Sequence, residues 1–191
     1  MQIKIIGKFL HVAFSAFLIW QSIILIERIT VNPPNNINSI LVNSLFVNLF
    51  ITGIFTIVYS FPIYRLLSDR YYHITKPLIL KNICNIFKVE LFRKFLLITI
   101  WRKSQNKKYY FNGTRKGFNE FITYTKRAEF GHGFGFIIVL IINIYLITKV
   151  LPLMTITIFT INVLFNLYPF LLQRYHRLRL NKILKYTVAN N

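Results

Sequence analysis

Residues 130–172 have the sequence FGHGFGFIIVLIINIYLITKVLPLMTITIFTINVLFNLYPFLL. Lys149 is the only charged side chain in this stretch, and it lies between two apolar runs, Phe130–Thr148 and Leu153–Leu172. Each run is close to the ~20 residues that a helix needs to cross the hydrocarbon core of a bilayer. Because the linker between the runs is so short, we expect a tight antiparallel pair of membrane-spanning helices.

Two further apolar runs, Phe9–Ile26 and Ser39–Tyr64, precede this hairpin, and turn-forming Pro and Asn residues separate them. The first run has the basic flank of a signal peptide, but it is long for one and no small-x-small cleavage site follows it. We therefore predict an all-α integral membrane protein with a single membrane domain. Its predicted spans are residues 9–26, 39–64, 130–148 and 153–172.

The composition agrees with a chain that is solvated partly by lipid. Of the 191 residues, 54% are hydrophobic, yet 24 Lys and Arg residues against 5 Asp and Glu residues give a net charge of +19. Strong positive charge also occurs in nucleic-acid-binding domains, but such domains do not need long runs without a charged side chain. No nucleic-acid partner is therefore expected.

The basic residues are distributed unequally between the two sides of the predicted spans. The loop 65–129 and the tail 173–191 contain 15 and 5 of them, whereas the other two loops contain one each, Arg28 and Lys149. Positive loops stay in the cytoplasm. We therefore predict a protein of the cytoplasmic (inner) membrane, with both termini and the long loop on the cytoplasmic side.

Part of the loop, Leu78–Trp101, is apolar but is interrupted by charged residues. This pattern is typical of an interfacial helix whose basic groups reach toward anionic lipid. An ordinary helix that packs on the protein's own loop fits the pattern equally well.

The sequence offers few groups for metal or disulfide chemistry. Cys84 is the single cysteine, so an internal disulfide cannot form. The four histidines, His11, His73, His132 and His176, lack the spacing of metal ligands. No metal and no cofactor are expected.

The hairpin carries polar residues at helical spacing on both of its predicted spans. Glu129 and His132 are three residues apart, so they share one helix face. If the hairpin folds about Pro152, His132 lies level with Gln173, and Asn143 with Asn162. In the same register Glu129 lies level with His176, next to Arg177. Polar side chains in membrane spans turn inward and find partners, so the two polar faces are predicted to meet.

Two interpretations of this polar hairpin follow from the residues. In the first, Glu129 and Arg177 form an ion pair and the amides hold the helices together, and the residues by themselves favour this interpretation. In the second, Glu129 orients His132 as a general base. The basic side chains of Arg127, Arg174 and Arg177 would then hold a phosphate or stabilise an oxyanion.

Two motifs in the hairpin resemble a known family, the glycosyl-4,4′-diaponeurosporenoate acyltransferases of the staphyloxanthin pathway. The first motif is Thr125-Lys126-Arg127-Ala128-Glu129-x-x-His132. The second consists of Asn166 followed by Gln173-Arg174-Tyr175-x-Arg177-x-Arg179-Leu180.

The resemblance implies transfer of a fatty acyl group to a sugar hydroxyl within the membrane. The expected partners are an acyl donor thioester, a lipid-linked glycosyl acceptor and membrane lipid. Glu129 and His132 would be catalytic. The residues expected to bind substrate are Lys126, Arg127, Asn166, Gln173, Arg174 and Arg177. The alternative is a non-catalytic multi-pass membrane subunit or scaffold whose polar hairpin is structural.

The orientation can be tested in a variant in which Ser replaces Cys84, the native cysteine. A cysteine that replaces Lys149 should react with an impermeant maleimide added outside intact cells. The loop around it is poor in basic residues and is therefore predicted to face the outside. A cysteine at Arg174 should react only after the membrane is permeabilised. External labelling at Arg174 would contradict the predicted orientation.

Overall fold

The computed structural model describes residues 2–99, 115–149 and 152–189. These residues are 89% helical and contain no β-strand. The helices are α1 (Gln2–Val31), α2 (Ile37–Ile54), α3 (Asp69–Tyr72), α4 (Pro77–Ile86), α5 (Val89–Thr99), α6 (Arg115–Ile147), α7 (Pro152–Asn162) and α8 (Tyr168–Ala189). Two 3₁₀ turns, Phe55–Tyr59 and Ile63–Leu66, follow α2, and a π-helical turn, Val163–Leu167, joins α7 to α8.

Within the described residues, four helical stretches are long and apolar enough to cross a membrane: Ile5–Val31, Ile37–Tyr59, Gly117–Ile147 and Pro152–Asn181. The prediction of an all-α membrane protein with four spans is therefore confirmed. Large apolar side chains lie exposed along these stretches, among them Phe9 at 71% and Ile144 at 63%. Apolar surface of this extent fits helices that contact lipid rather than water.

The third span begins earlier than its apolar run indicates. We predicted a loop over residues 65–129, but α6 starts at Arg115 and continues through the charged segment into the apolar run. The segment contains no proline, and charged residues at helical spacing do not end a helix. Residues 100–114 of the predicted loop lie outside the described residues.

The chain forms two compact units. One consists of Met1–Ile63 and Phe130–Leu167, and we call it the span unit. The other consists of Tyr64–Glu129 and Tyr168–Asn191, and we call it the basic unit. Helix α6 contributes to both, and the single membrane domain stays a prediction.

The core of the span unit is aliphatic, and α1, α2, α6 and α7 contribute to it. Its buried members are Ile29, Ile40, Val47, Ile51, Val139, Leu146, Met154 and Ile158. Polar side chains complete the backbone hydrogen bonds at both ends of α2. Asn36 accepts from the Ser39 amide at 2.8 Å, and the Ile54 carbonyl accepts from the Ser15 hydroxyl at 2.9 Å. These contacts satisfy backbone groups that the helix ends leave free.

In the basic unit, α4 and α5 pack on α8. They replace the single helix predicted for Leu78–Trp101, because Lys88 takes the left-handed conformation (φ 49°) that ends α4. Leu80 and Cys84 face inward, and burial raises the pKa of the Cys84 thiol. The Arg93 guanidinium donates to the Glu90 carboxylate and holds the pKa of Glu90 at about 2.

The opposite faces of α4 and α5 are exposed and apolar. Their exposed side chains include Leu78, Ile79, Ile86, Leu91, Phe95 and Ile98. Both helices are thus amphipathic, as an interfacial segment requires. Their position at the membrane surface stays a prediction.

We expect Asn48→Ala to lower the free energy of unfolding. The Asn48 side chain is fully buried, and its amide nitrogen donates to the Ser44 carbonyl at 2.9 Å and the Ile158 carbonyl at 3.2 Å. Loss of the bond to α7 should cost ~1 kcal/mol, typical of hydrogen bonds between membrane helices. Denaturation of the purified protein in detergent measures this difference.

Asn43→Ala is the matched control, because within the described part of the chain the Asn43 amide donates only to the Ser39 carbonyl of its own helix. If the two variants are equally stable, the Asn48 bond does not hold α2 to α7.

Candidate functional site

A chain of side-chain amides lies buried in the span unit, where α6 packs against α7 and the π-helical turn. The Asn162 amide nitrogen donates to the Phe136 carbonyl at 3.0 Å. The Asn166 amide nitrogen donates in turn to the Asn162 side-chain oxygen at 2.9 Å. Both asparagines are fully buried, so these bonds satisfy polar side-chain groups that could not form hydrogen bonds with lipid.

The chain ends at His132. The Asn166 side-chain oxygen accepts from the Thr52 hydroxyl at 2.9 Å and lies 3.4 Å from His132 Nδ1. The Phe165 backbone carbonyl, from the same π-helical turn, also lies within hydrogen-bonding reach of the imidazole.

This chain favours one of the two neutral tautomers of His132. A backbone carbonyl can only accept, so the Phe136 carbonyl requires the Asn162 nitrogen to face it. The Asn162 oxygen then faces Asn166, and the Asn166 oxygen faces His132. An acceptor at this position favours the neutral tautomer with its hydrogen on Nδ1 and a lone pair on Nε2. A neutral imidazole of this tautomer can act as a general base through Nε2.

Two glycines of α6 make room for this arrangement. A Cβ atom at Gly135 would lie 3.0 Å from the Asn166 side-chain oxygen and 3.5 Å from the Thr52 hydroxyl. A Cβ atom at Gly131 would lie 3.4 Å from the Phe55 Cβ atom. Glycines four residues apart on α6 thus allow the neighbouring segments to approach this helix closely.

The register of the amides differs from the predicted one. Asn162 was expected level with Asn143, but it bonds to the Phe136 carbonyl, and Asn166 bonds to His132. The Asn143 side-chain oxygen is buried without a hydrogen-bond partner among the described residues. Both contacts lie seven residues from the predicted register, and Asn162 precedes the π-helical turn at Val163–Leu167. The hairpin therefore turns nearer Lys149 than Pro152, which shifts the whole register.

A second polar cluster, in the basic unit, surrounds Glu129. This carboxylate is fully buried and accepts from two guanidiniums of α8. One oxygen accepts from Arg174 Nε at 2.8 Å, and the other forms an ion pair with Arg177. The predicted proximity of Glu129 and Arg177 is therefore observed, and a buried carboxylate of this kind requires such partners.

Aromatic and hydroxyl groups complete the cluster. Arg177 is 4% exposed, donates to the Thr125 hydroxyl at 3.3 Å and lies over the Tyr72 ring, 5.7 Å from its centroid. Arg174 lies over the Tyr71 ring at 4.9 Å and donates to the Tyr71 carbonyl. Cation–π contacts of this kind stabilise guanidiniums in partly desolvated positions.

The remaining residues expected to bind substrate also lie in the basic unit. Lys126 donates to the Asp69 carboxylate at 2.7 Å, and this contact lowers the pKa of Asp69. Arg127 lies over the Tyr64 ring at 5.5 Å, and its Nε is buried without a hydrogen-bond partner among the described residues. Gln173 is buried on α8.

The structure gives Glu129 and His132 separate partners. Both carboxylate oxygens of Glu129 are engaged by arginines, whereas His132 contacts Asn166. The direct pairing of Glu129 with His132 stays a prediction.

Sequence analysis did not identify Thr52, Tyr71 or Tyr72 as members of these clusters. Threonine and tyrosine are common in and beside membrane helices, so no sequence signal marks these positions. Asp69 could have been singled out from the sequence, because the chain has only 5 acidic residues to pair with its many basic ones. No group of three or more His, Cys, Asp and Glu side chains that could hold a metal ion occurs in the described ranges.

We expect Glu129→Gln to destabilise the protein by ~3 kcal/mol, the lower end for breaking a buried ion pair. The amide presents an oxygen to one arginine but an N–H donor to the other, so one guanidinium loses its acceptor. Membrane abundance and denaturation in detergent measure the effect.

Glu120→Gln serves as the control, because Glu120 lies exposed on the same helix. Equal abundance of the two variants would show that Glu129 does not stabilise the basic unit.

Comparison with known proteins identifies the family of this chain. Residues 68–186 match the family described as glycosyl-4,4′-diaponeurosporenoate acyltransferase. No curated protein and no solved structure matches the chain. The matched segment includes both the Glu129 cluster and His132 with Asn166, and it covers more than half of the sequence. The chain belongs to the glycosyl-4,4′-diaponeurosporenoate acyltransferase family.

Proposed function

We propose that this protein is a membrane-bound O-acyltransferase that moves a fatty acyl group from a thioester to a hydroxyl of a glycosylated lipid or carotenoid-like acceptor. Membership of the family supports the acyl transfer. The hydrogen-bond chain that ends at His132 is the single observation that supports its mechanism.

In the proposed reaction, His132 Nε2 removes the proton from the acceptor hydroxyl. The alkoxide oxygen attacks the thioester carbonyl and forms a tetrahedral oxyanion. When this intermediate collapses, the C–S bond breaks, the ester forms, and the imidazolium returns its proton to the thiolate. Asn166 stabilises the imidazolium, because its side-chain oxygen accepts from Nδ1 throughout.

Asn166 is therefore a positioning residue rather than a group that touches substrate. The contacts from Thr52 and Asn162 hold its amide in one orientation. A base whose tautomer is set before substrate binds needs no reorganisation during proton transfer.

Arg127 is the basic residue that we assign to the acyl donor. Arg174 and Arg177 already share the Glu129 carboxylate, and Lys126 pairs with Asp69. Arg127 has no ion-pair partner among the described residues, and its Nε has no acceptor there. A guanidinium in this state can bind a phosphate of the thioester carrier. Gln173, Arg174 and Arg177 would then act on substrate only indirectly.

The predicted orientation fits this reaction. If the loop 65–129 and the tail 173–191 are cytoplasmic, as predicted, Arg127 is on the side where a thioester donor is made. The amphipathic α4 and α5 would rest on the same membrane surface, where an amphiphilic acceptor is concentrated.

We expect His132→Ala to reduce product formation by ~10²–10⁴-fold, the usual contribution of a general base. Membrane abundance should stay normal, because the side chain is partly exposed and its hydrogen bond is long. Acylated lipid and protein abundance are measured in the same membranes, since normal abundance separates loss of chemistry from loss of fold.

His73→Ala is the matched control, because His73 is exposed in the basic unit and belongs to neither cluster. Full product from His132→Ala at normal abundance would refute the catalytic assignment. It would favour the alternative, a non-catalytic membrane subunit whose polar hairpin holds the helices together.

A further inference from the structure

A groove of about 490 Å³ lies between α1 and α2 in the span unit. Its volume is within the range of ligand sites in proteins. The lining residues that carry the argument below are Gln21, Arg28, Asn38, Val42, Phe46 and Phe50.

The chemistry of the groove changes along its length. Arg28 and Asn38 lie at the end next to the α1–α2 turn, and Phe46 and Phe50 line the other end. None of the hydrogen bonds or ion pairs within the described residues involves the side chain of Arg28 or of Asn38. Glu27 does not line the groove, because adjacent residues of a helix point in different directions. The groove therefore has the cation and an amide at one end and two phenylalanine rings at the other, with Gln21 and Asn43 among apolar side chains between them.

The length of the groove matches one leaflet of a bilayer. Asn38 and Phe50 are separated along the helix axis by about 18 Å, at 1.5 Å per residue. One leaflet accounts for about 15 Å of the hydrocarbon core. A lipid chain that starts at Asn38 would thus lie along the groove for the depth of its own leaflet.

The polar end is too far from His132 to hold the reacting hydroxyl. Thr52, which shares the Asn166 oxygen with His132, lies about 20 Å along α2 from Asn38. A headgroup at Arg28 is therefore remote from the base.

We propose that the α1–α2 groove is a binding site for a membrane phospholipid with an anionic headgroup. The Arg28 guanidinium and the Asn38 amide donate to the phosphate oxygens, and one acyl chain lies against Phe46 and Phe50. Gln21, partway along the groove, can donate to an ester carbonyl of the same lipid. A lipid held here stabilises the α1–α2 pair, because it binds only the folded protein.

The test is a titration of the full-length protein in detergent, followed by native mass spectrometry. The probes are phosphatidylglycerol and phosphatidylcholine with identical acyl chains, since they share the phosphate but differ in net charge. The wild-type protein should prefer phosphatidylglycerol by about tenfold, because the choline ammonium of phosphatidylcholine offsets the phosphate charge that attracts Arg28.

Two pairs of variants separate the groove from general lipid contact. Arg28→Gln should remove the preference, whereas Lys149→Gln should keep it, because Lys149 is exposed in the other short loop and does not line the groove. Val42→Trp fills the groove and should weaken binding of both lipids. Leu41→Trp should not, because Leu41 is exposed outside the groove.

The proposal is overturned if Arg28→Gln retains the preference, or if Lys149→Gln loses it equally, since the attraction would then be non-specific. Equal effects of the two tryptophan variants would show that the lipid belongs to the ordinary shell around the protein. Neither result bears on acyl transfer at His132, which the product assay reports separately.

Discussion

The hydrogen bond from Asn162 to the Phe136 carbonyl constrains the proposed reaction site. This carbonyl cannot donate, so it fixes the direction of every bond that follows, through Asn166 to the imidazole of His132. In an apolar surrounding a reversed amide would leave two buried groups without partners, and that penalty keeps the chain in one orientation. Packing between α6 and α7 thus presents an acceptor to His132 Nδ1 and favours the hydrogen on that nitrogen.

The same constraint explains why the helix changes its winding beside His132. Asn166 lies in the π-helical turn Val163–Leu167, where a wider turn alters the direction of the side chains. Gly135 faces this turn, and any larger side chain would press on the Asn166 oxygen. Irregular backbone and a small residue on the facing helix occur together because the amide needs both the direction and the space.

Glu129 neutralises positive charge in the second cluster of this strongly basic chain. Arg174 and Arg177 lie on α8 among aromatic rings, where water cannot solvate their charges fully. One buried carboxylate accepts from both guanidiniums, and the ring faces of Tyr71 and Tyr72 contribute further stabilisation. The acid of the family motif therefore has a sufficient structural role, whatever it adds to chemistry. Arg127, which contacts the Tyr64 ring but has no ion-pair partner among the described residues, is the motif residue that we propose for an anionic substrate.

The all-α class, the four spans and the proximity of Glu129 to Arg177 can be predicted from the residues, because apolar length and charge position govern transfer into lipid. The family motifs can also be read directly. The partners in the amide chain cannot: Asn166 accepts from Thr52 and contacts His132, and Asn162 bonds to a backbone carbonyl rather than lying level with Asn143. These partners depend on the rotation of each helix about its axis and on one π-helical turn. Hydropathy is insensitive to both, because an apolar run has the same transfer free energy in any rotation.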